Sequence, residues 1–384
     1  NTAEMKNKLQ YILLILTSFI VFSSCEDSDD IDAREPAMVS RTVLVYMAAN
    51  NSPSLPHTQN FNAMVSAANN GALANGGRLI VFRKISYPKV EAQLVEITKN
   101  TVNVLKTYPS DINSVAPDVM KMVIADIHHI APAEEYGLLL WSHASGWIAP
   151  SRSWGQDIGF SGQDREMSIP DLADALGNHQ FRFIYMDCCF MGNIETLYEL
   201  RDVADYIIAS PTETPYAGMD YERNIPEFFA EDIDFHKIVA NTHEVVAAQQ
   251  RDGDHCGIAI SLYDMSRIEA VSEAVKSIYA DNTHVPNDTY SIQQYGFMSW
   301  DSYFYDLDAY MSSISDDESA IGRLRMELQQ FIPICRATEK IWQRYPLDDI
   351  CGVSAFIPGS SNLQTKYHYD DLKWYHDVVE PYFQ

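Results

Sequence analysis

The chain has 384 residues, 46% hydrophobic and 21% charged, enough to bury one large α/β core or two small ones. With 27 Lys and Arg against 53 Asp and Glu, its net charge of −26 excludes a nucleic-acid partner, which needs a basic face, and leaves cationic substrates or plain solubility as uses for the acidity. Six cysteines do not make a disulfide scaffold at this length, and neither H-E-x-x-H nor C-x-x-C occurs, so no metal site and no dithiol centre is read.

In chain order, residues 5–24 read as a signal peptide. Lys6 and Lys8 precede an apolar run over 9–22, shorter than the roughly 20 residues of a membrane span, and Ser23, Ser24 and Cys25 follow. The run Val-Phe-Ser-Ser-Cys resembles a bacterial lipoprotein box, which implies that Cys25 is lipidated and ties the protein to a membrane. An ordinary cleaved signal peptide with an incidental Cys25 is the alternative. Residues 25–40 are acidic and polar and read as a tether without structure of its own. An acidic patch there resembles signals that send lipoproteins to the outer face of some Gram-negative outer membranes. That resemblance implies an exported, outer-membrane-anchored and surface-exposed protein.

Residues 41–384 read as one domain. The run 42–48 (T-V-L-V-Y-M-A) predicts a buried strand, 50–56 a loop, 61–68 a helix, 77–82 a strand and 90–97 a half-buried strand. A helix is expected over 116–129, with Val119, Met120, Met122, Val123 and Ile127 buried and His128 and His129 at its cationic-favouring end. Residues 136–141 (Y-G-L-L-L-W) are another buried strand. The stretch 149–165, polar and rich in Gly, Ser and Asp, reads as a long exposed loop open to proteolytic nicking. Ser168 and Pro170 mark a helix start, and Leu172, Ala175 and Leu176 its buried face.

A strand over 181–186 then stops at Asp187, Cys188 and Cys189. The helix after it puts Ile194, Leu197, Tyr198 and Leu200 inward and Glu195 and Glu199 outward. Further strands are read at 206–209, 256–263 and 351–358, further helices at 234–251, 267–280 and 321–342, and a rim loop at 211–221. Residues 299–311 are dense in aromatics and acids. Strands alternating with helices imply a mostly parallel sheet.

His143 closes one strand and Cys189 closes the next, so a parallel sheet would bring an imidazole and a thiol to one carboxyl rim, where α/β proteins hold their ligands. A cysteine peptidase needs that pair: the thiolate attacks, and the imidazole forms it and then protonates the leaving amine. The oxyanion would lie against the backbone N–H of Cys189 and one from Ala144 or Ser145. Cys188, one residue away, alternates towards the core.

W-S-H-A-S-G-W from Trp141, followed by Y-M-D-C-C-F-M-G from Tyr185 and the helix E-T-L-Y-E-L-R-D-V-A-D-Y, resembles the clostripain family of cysteine peptidases. The family pattern is roughly W-D-H-G-S-G-W, then D-A-C-L-M-G and E-x-x-Y-E-L-R-D-x-A-D-Y. The resemblance implies a caspase-like three-layer α/β/α sandwich with a mostly parallel central sheet, catalytic His143 and Cys189, and a peptide or protein substrate. In the family an acid in the loop matching 211–221 explains selection of Arg or Lys; here Pro211, Tyr216 and Ala217 depart from the usual E-x-x-P-G-x-G-W-x-Y, which leaves basic or neutral specificity open, with Asp187, Glu213 and Asp220 as the candidate acids. Self-cleavage within 149–165, at Arg152 or Arg165, follows from the same source. No cofactor is required, and calcium enters by the resemblance alone. Residues 48–51 (A-A-N-N) depart from the family's acidic D-x-D-N-N, and Ala144 stands where glycine is usual. A competing reading keeps the fold as a silent surface lipoprotein that binds protein or glycan through its 22 tyrosines; the intact Cys/His pair favours the peptidase.

Overall fold

Strand β1 (Val39–Ala49) is buried without interruption from Thr42 onward, the mark of a strand covered on both faces. Its side chains divide by the two-residue period of extended backbone. Leu44, Tyr46 and Ala48 enter one apolar cluster, and Val43, Val45 and Met47 enter a second on the opposite face. A computed structural model describes residues 37–50, 54–85, 90–148, 154–158, 164–178, 180–215, 218–253, 256–298, 301–360 and 367–383. Met38–Gln384 forms one unit.

Helix α1 (Ser54–Asn69) follows β1, then β2 (Arg78–Ile85), β3 (Glu91–Thr98) and β4 (Thr101–Tyr108). Next come α2 (Pro117–Ile130), β5 (Ala133–Trp141), the hairpin β6 (Trp154–Ile158) and β7 (Asp164–Met167), and α3 (Ile169–Leu176). β8 (Phe181–Asp187), α4 (Ile194–Glu199), β9 (Ala204–Ala209), α5 (Tyr221–Phe228), α6 (Phe235–Arg251) and β10 (Ala259–Asp264) complete most of the sheet. The chain ends with α7 (Ile268–Tyr279), α8 (Leu307–Ile314), α9 (Glu318–Phe331), β11 (Ile334–Ala337) and shorter pieces.

The central sheet has nine strands in the order β11-β10-β9-β8-β5-β1-β2-β3-β4. Its middle, β9-β8-β5-β1-β2, is parallel, and antiparallel pairs extend it on both sides. One face is covered by α2, α3, α4, α7, α8 and α9, the other by α1, α5 and α6. This is the expected three-layer α/β/α sandwich. From β1 the chain passes to β2 on one side and returns to β5 on the other. The crevice between the carboxyl ends of β1 and β5 is therefore where such a sheet opens to a ligand.

Several expectations are corrected. The helix read over 321–342 ends at Phe331, because Pro333 disfavours helical backbone at Ile332; the next residues pair as β11 along β10. β4 was not anticipated: it is an exposed edge strand, and its hairpin turns on Asn100 at φ 65° without the usual glycine signal. Met122 is 38% exposed, because the 3.6-residue period selects Met120, Val123, Ile124 and Ile127 for the core. α1 begins at Ser54, inside the stretch expected to be a loop. Only Ser354–Ala355 of the last predicted strand pairs, with Tyr305–Asp306, although Val353 to Ile357 are all buried.

Two corrections bear on the site. The exposed loop expected over 149–165 contains the β6–β7 hairpin, in which Trp154 and Asp157 are fully buried. Glu195 and Glu199 do not face solvent. Both are buried, and their carboxylates accept the backbone N–H groups of Phe356 and Lys373 from the C-terminal segment.

Candidate active site

β5 and β8 run in register, with Leu140 beside Met186 and Trp141 beside Asp187. Ser142 and His143 continue from one strand, and Cys188 and Cys189 from the other. Neighbouring strands lie about 4.8 Å apart, so the imidazole-bearing and thiol-bearing residues leave the sheet side by side, each two positions beyond the last pair.

Alternation separates the two cysteines. Cys188 is buried, its thiol 3.7 Å from the Leu140 carbonyl, and burial, with the Asp187 carboxylate adding to it, pushes that thiol well above its ordinary pKa. Cys189 is half-buried and meets the loop after β9: the N–H of Thr214 points at its sulfur from 3.4 Å, which supplies a donor to a thiolate. The Thr214 hydroxyl donates to the Cys188 carbonyl at 3.0 Å, the Phe190 N–H to Thr212 O at 2.9 Å and the Gly192 N–H to Ser210 O at 2.8 Å. Phe190 adopts a left-handed φ of 58°, rare for a non-glycine residue, and its ring stacks on Phe304 at 4.9 Å. Phe304 thus supports the turn that carries Cys189.

The histidine loop is held from both sides. The Ser142 hydroxyl donates to Ala48 O at the end of β1 (2.9 Å), the Gly155 N–H to His143 O (2.8 Å) and the Gln156 N–H to Ser142 Oγ (3.1 Å). Ala144 and Trp154 form an antiparallel bridge, and the Gly155–His143 bond makes it the non-hydrogen-bonded kind. The amide of Ala144 consequently faces away from β6. Gly146 has φ 66°, and a Cβ there would lie 2.7 Å from Asn193 Nδ2 and 3.0 Å from Phe190 O. The loop of His143 and the turn that carries Cys189 are therefore in direct contact.

The pocket candidates fall in different settings. Asp187 is fully buried; Oδ1 accepts the Met219 N–H at 3.2 Å and Oδ2 the Tyr221 hydroxyl at 2.7 Å, and burial pushes its carboxyl up to about 6. A Cβ on Gly218 would strike it at 2.6 Å, so the rim loop lies directly against this carboxylate. Asp220 caps α5 through the Arg223 N–H and pairs with the Arg223 guanidinium at 2.6 Å. Glu213 is half-buried, and burial raises its carboxyl while a hydrogen bond from Trp342 lowers it. Arg165 stands opposite Asp157 in the backbone ladder of the hairpin. Arg152 and Cys25 lie outside the described residues. Thr214, Gly146 and Phe304 lie in stretches that the sequence marks out, but their individual roles are not legible there, because each contributes through a contact made far along the chain.

Among the described residues, His368, Asp370 and Asp371 bring ligand atoms within 4.8 Å of one another on the exposed surface. Two exposed carboxylates and an imidazole are a sparse set for calcium, whose remaining ligands would have to be waters, and exposed acidic groups of this kind are common without an ion. Among the described residues no helix is long and apolar enough to cross a membrane.

A model of the clostripain family matches residues 45–377. Among solved structures, the chain is similar to a secreted C11 cysteine protease from Bacteroides thetaiotaomicron in complex with an irreversible peptide inhibitor, at 29% identity and a TM-score of 0.77, covering 88% of this chain and 99% of that one. It is also similar to an inactive zymogen C11 protease from Parabacteroides distasonis, at 26% identity and a TM-score of 0.76, covering 91% and 99% of the two chains. A second secreted C11 cysteine protease from Bacteroides thetaiotaomicron, at 22% identity and a TM-score of 0.77, shares the fold. No curated protein sequence matches. The family match spans both the histidine loop and the turn that carries Cys189: the chain belongs to the clostripain family and is a cysteine endopeptidase.

Proposed function

We propose that Cys189 is the nucleophile and His143 the base of this endopeptidase. His143 accepts the thiol proton, and the sulfur attacks the scissile carbonyl. The amides of Cys189 and Ala144 hold the tetrahedral oxyanion, and the imidazolium protonates the departing amine. Water, deprotonated by the same imidazole, then hydrolyses the thioester. The observation that carries this reading is the in-register exit of residues 143 and 189 from adjacent parallel strands, with Gly146 packed on the Cys189 turn. Peptide hydrolysis by the purified protein should vanish in His143→Ala and Cys189→Ala while thermal unfolding stays unchanged; turnover surviving either change refutes it.

We assign selection of Arg or Lys to Asp187 with Glu213. Asp220 is less suited, because its charge is already met by Arg223. Self-processing is assigned to Arg152. Arg165 sits in a paired strand that would have to open before cleavage. Lipid attachment at Cys25 and an outer-membrane location rest on the lipoprotein-box resemblance. A panel of Arg, Lys and neutral substrates, N-terminal sequencing of any fragment, and fatty-acid labelling of wild type against Cys25→Ser test these three in turn.

A further inference from the structure

The β6–β7 hairpin holds a buried ion pair that the chemistry above does not use. Lys84, near the end of β2, directs its ammonium at both carboxylate oxygens of Asp157 in β6, at 2.8 and 2.7 Å, and also donates to Ile112 O. Asp157 takes further bonds from Asn50 Nδ2 (2.7 Å), the Ser114 N–H (2.7 Å) and the Ser114 hydroxyl (2.8 Å). Asp157 is 0% exposed and Lys84 2%. A carboxylate saturated in this way draws together the ends of β1 and β2, the loop before α2, and β6.

A buried pair of this kind is a poor source of stability, since apolar residues of similar volume serve as well. What it adds is direction. Ile158, next to Asp157, donates its N–H to Asn50 O at 2.9 Å, while Gln156 and Gly155 bond to Ser142 and His143. Trp154, at the other end of the strand, bridges Ala144 and packs edge-on against Tyr46 at 5.9 Å. Every one of these bonds depends on the register of β6, and Asp157 is the side chain that pins that register to the sheet.

We propose that Asp157, anchored by Lys84, Asn50 and Ser114, is a positioning residue for peptide hydrolysis: it fixes β6 against the histidine loop and so sets His143 relative to Cys189. The proposal rests on His143 being the base. Misplacing a catalytic group by an ångström costs up to about 100-fold in rate, so Asp157→Asn should lower kcat by about 10- to 100-fold with KM within about twofold. It should slow iodoacetamide alkylation of Cys189 in parallel.

The full chain is assayed as wild type, Asp157→Asn, the double variant Lys84→Met/Asp157→Asn, and Ser114→Ala. The double variant removes the orphaned ammonium. It is expected to recover the melting temperature lost in the single variant but not kcat. Recovery of kcat along with the melting temperature would overturn the proposal and make the pair structural only. If Asp157→Asn does not fold, Ser114→Ala decides: a several-fold loss of kcat at constant KM supports the proposal, and unchanged kinetics overturns it. His143→Ala is run beside them. Activity persisting there refutes the base assignment, whereas activity lost there but intact in Asp157→Asn refutes the positioning role alone.

Discussion

Glu195 offers a stability measurement whose sign runs against intuition. It lies fully buried in the first turn of α4, with Oε1 accepting the Phe356 N–H at 2.7 Å. Burial, offset only in part by the hydrogen bonds it accepts, pushes its carboxyl from 4.5 up to about 8. The folded protein therefore holds this proton more tightly than the unfolded chain does. Its contribution to stability is fully present below about pH 4.5 and is lost as the pH rises to about 8. At 1.36 kcal/mol per pKa unit the loss is about 3 kcal/mol at pH 7 and approaches about 5 kcal/mol above pH 8. Glu195→Gln supplies a neutral side chain of the same shape that still accepts from Phe356. Urea unfolding between pH 4.5 and 9 should find the two proteins within about 0.5 kcal/mol at the acid end, since a surviving hydrogen bond leaves little to lose. The glutamine variant should become the more stable by about 3 kcal/mol at pH 7. Other carboxyls titrate in both proteins, so the difference isolates residue 195. A constant difference across the range, or a glutamine variant that is the weaker at pH 8, would mean that Glu195 is held ionised and would refute the reasoning.

Three further outcomes are expected. Gly146→Ala meets a left-handed φ and a close approach to Phe190 O and Asn193; it should cost about 1–3 kcal/mol of stability and lower kcat in peptide hydrolysis. Mass spectrometry after brief iodoacetamide treatment should find Cys189 modified and the buried Cys188 untouched, and Cys188→Ala should keep its activity where Cys189→Ala loses it. Phe304→Ala removes the ring stacked under Phe190 and should lower unfolding stability by about 3–5 kcal/mol, with a loss of kcat that Phe304→Leu partly restores.

The five parallel strands were legible because a strand covered on both faces must be apolar throughout, and runs such as 42–48 and 136–141 have no other use. The separation of Cys188 from Cys189 was legible too, since extended backbone turns successive side chains to opposite faces. Strand ends carry His143 and Cys189 for the same local reason, and the order of the elements leaves few ways to arrange a parallel sheet. Other features were hidden because their cause lies elsewhere in the chain. Glu195 and Glu199 sit on what looks like a polar helix face, and nothing within the helix tells that Phe356 and Lys373 will arrive with N–H groups to cover them. Asp157 falls in a stretch with the composition of a loop; it becomes interior only because Lys84, Asn50 and Ser114, drawn from separate elements, neutralise and saturate it together. Periodicity and spacing reach as far as a side chain's own segment. The partners that make a buried charge tolerable, or aim a histidine, come from strands and loops that meet only when the sheet closes, so their contribution appears with the folded chain.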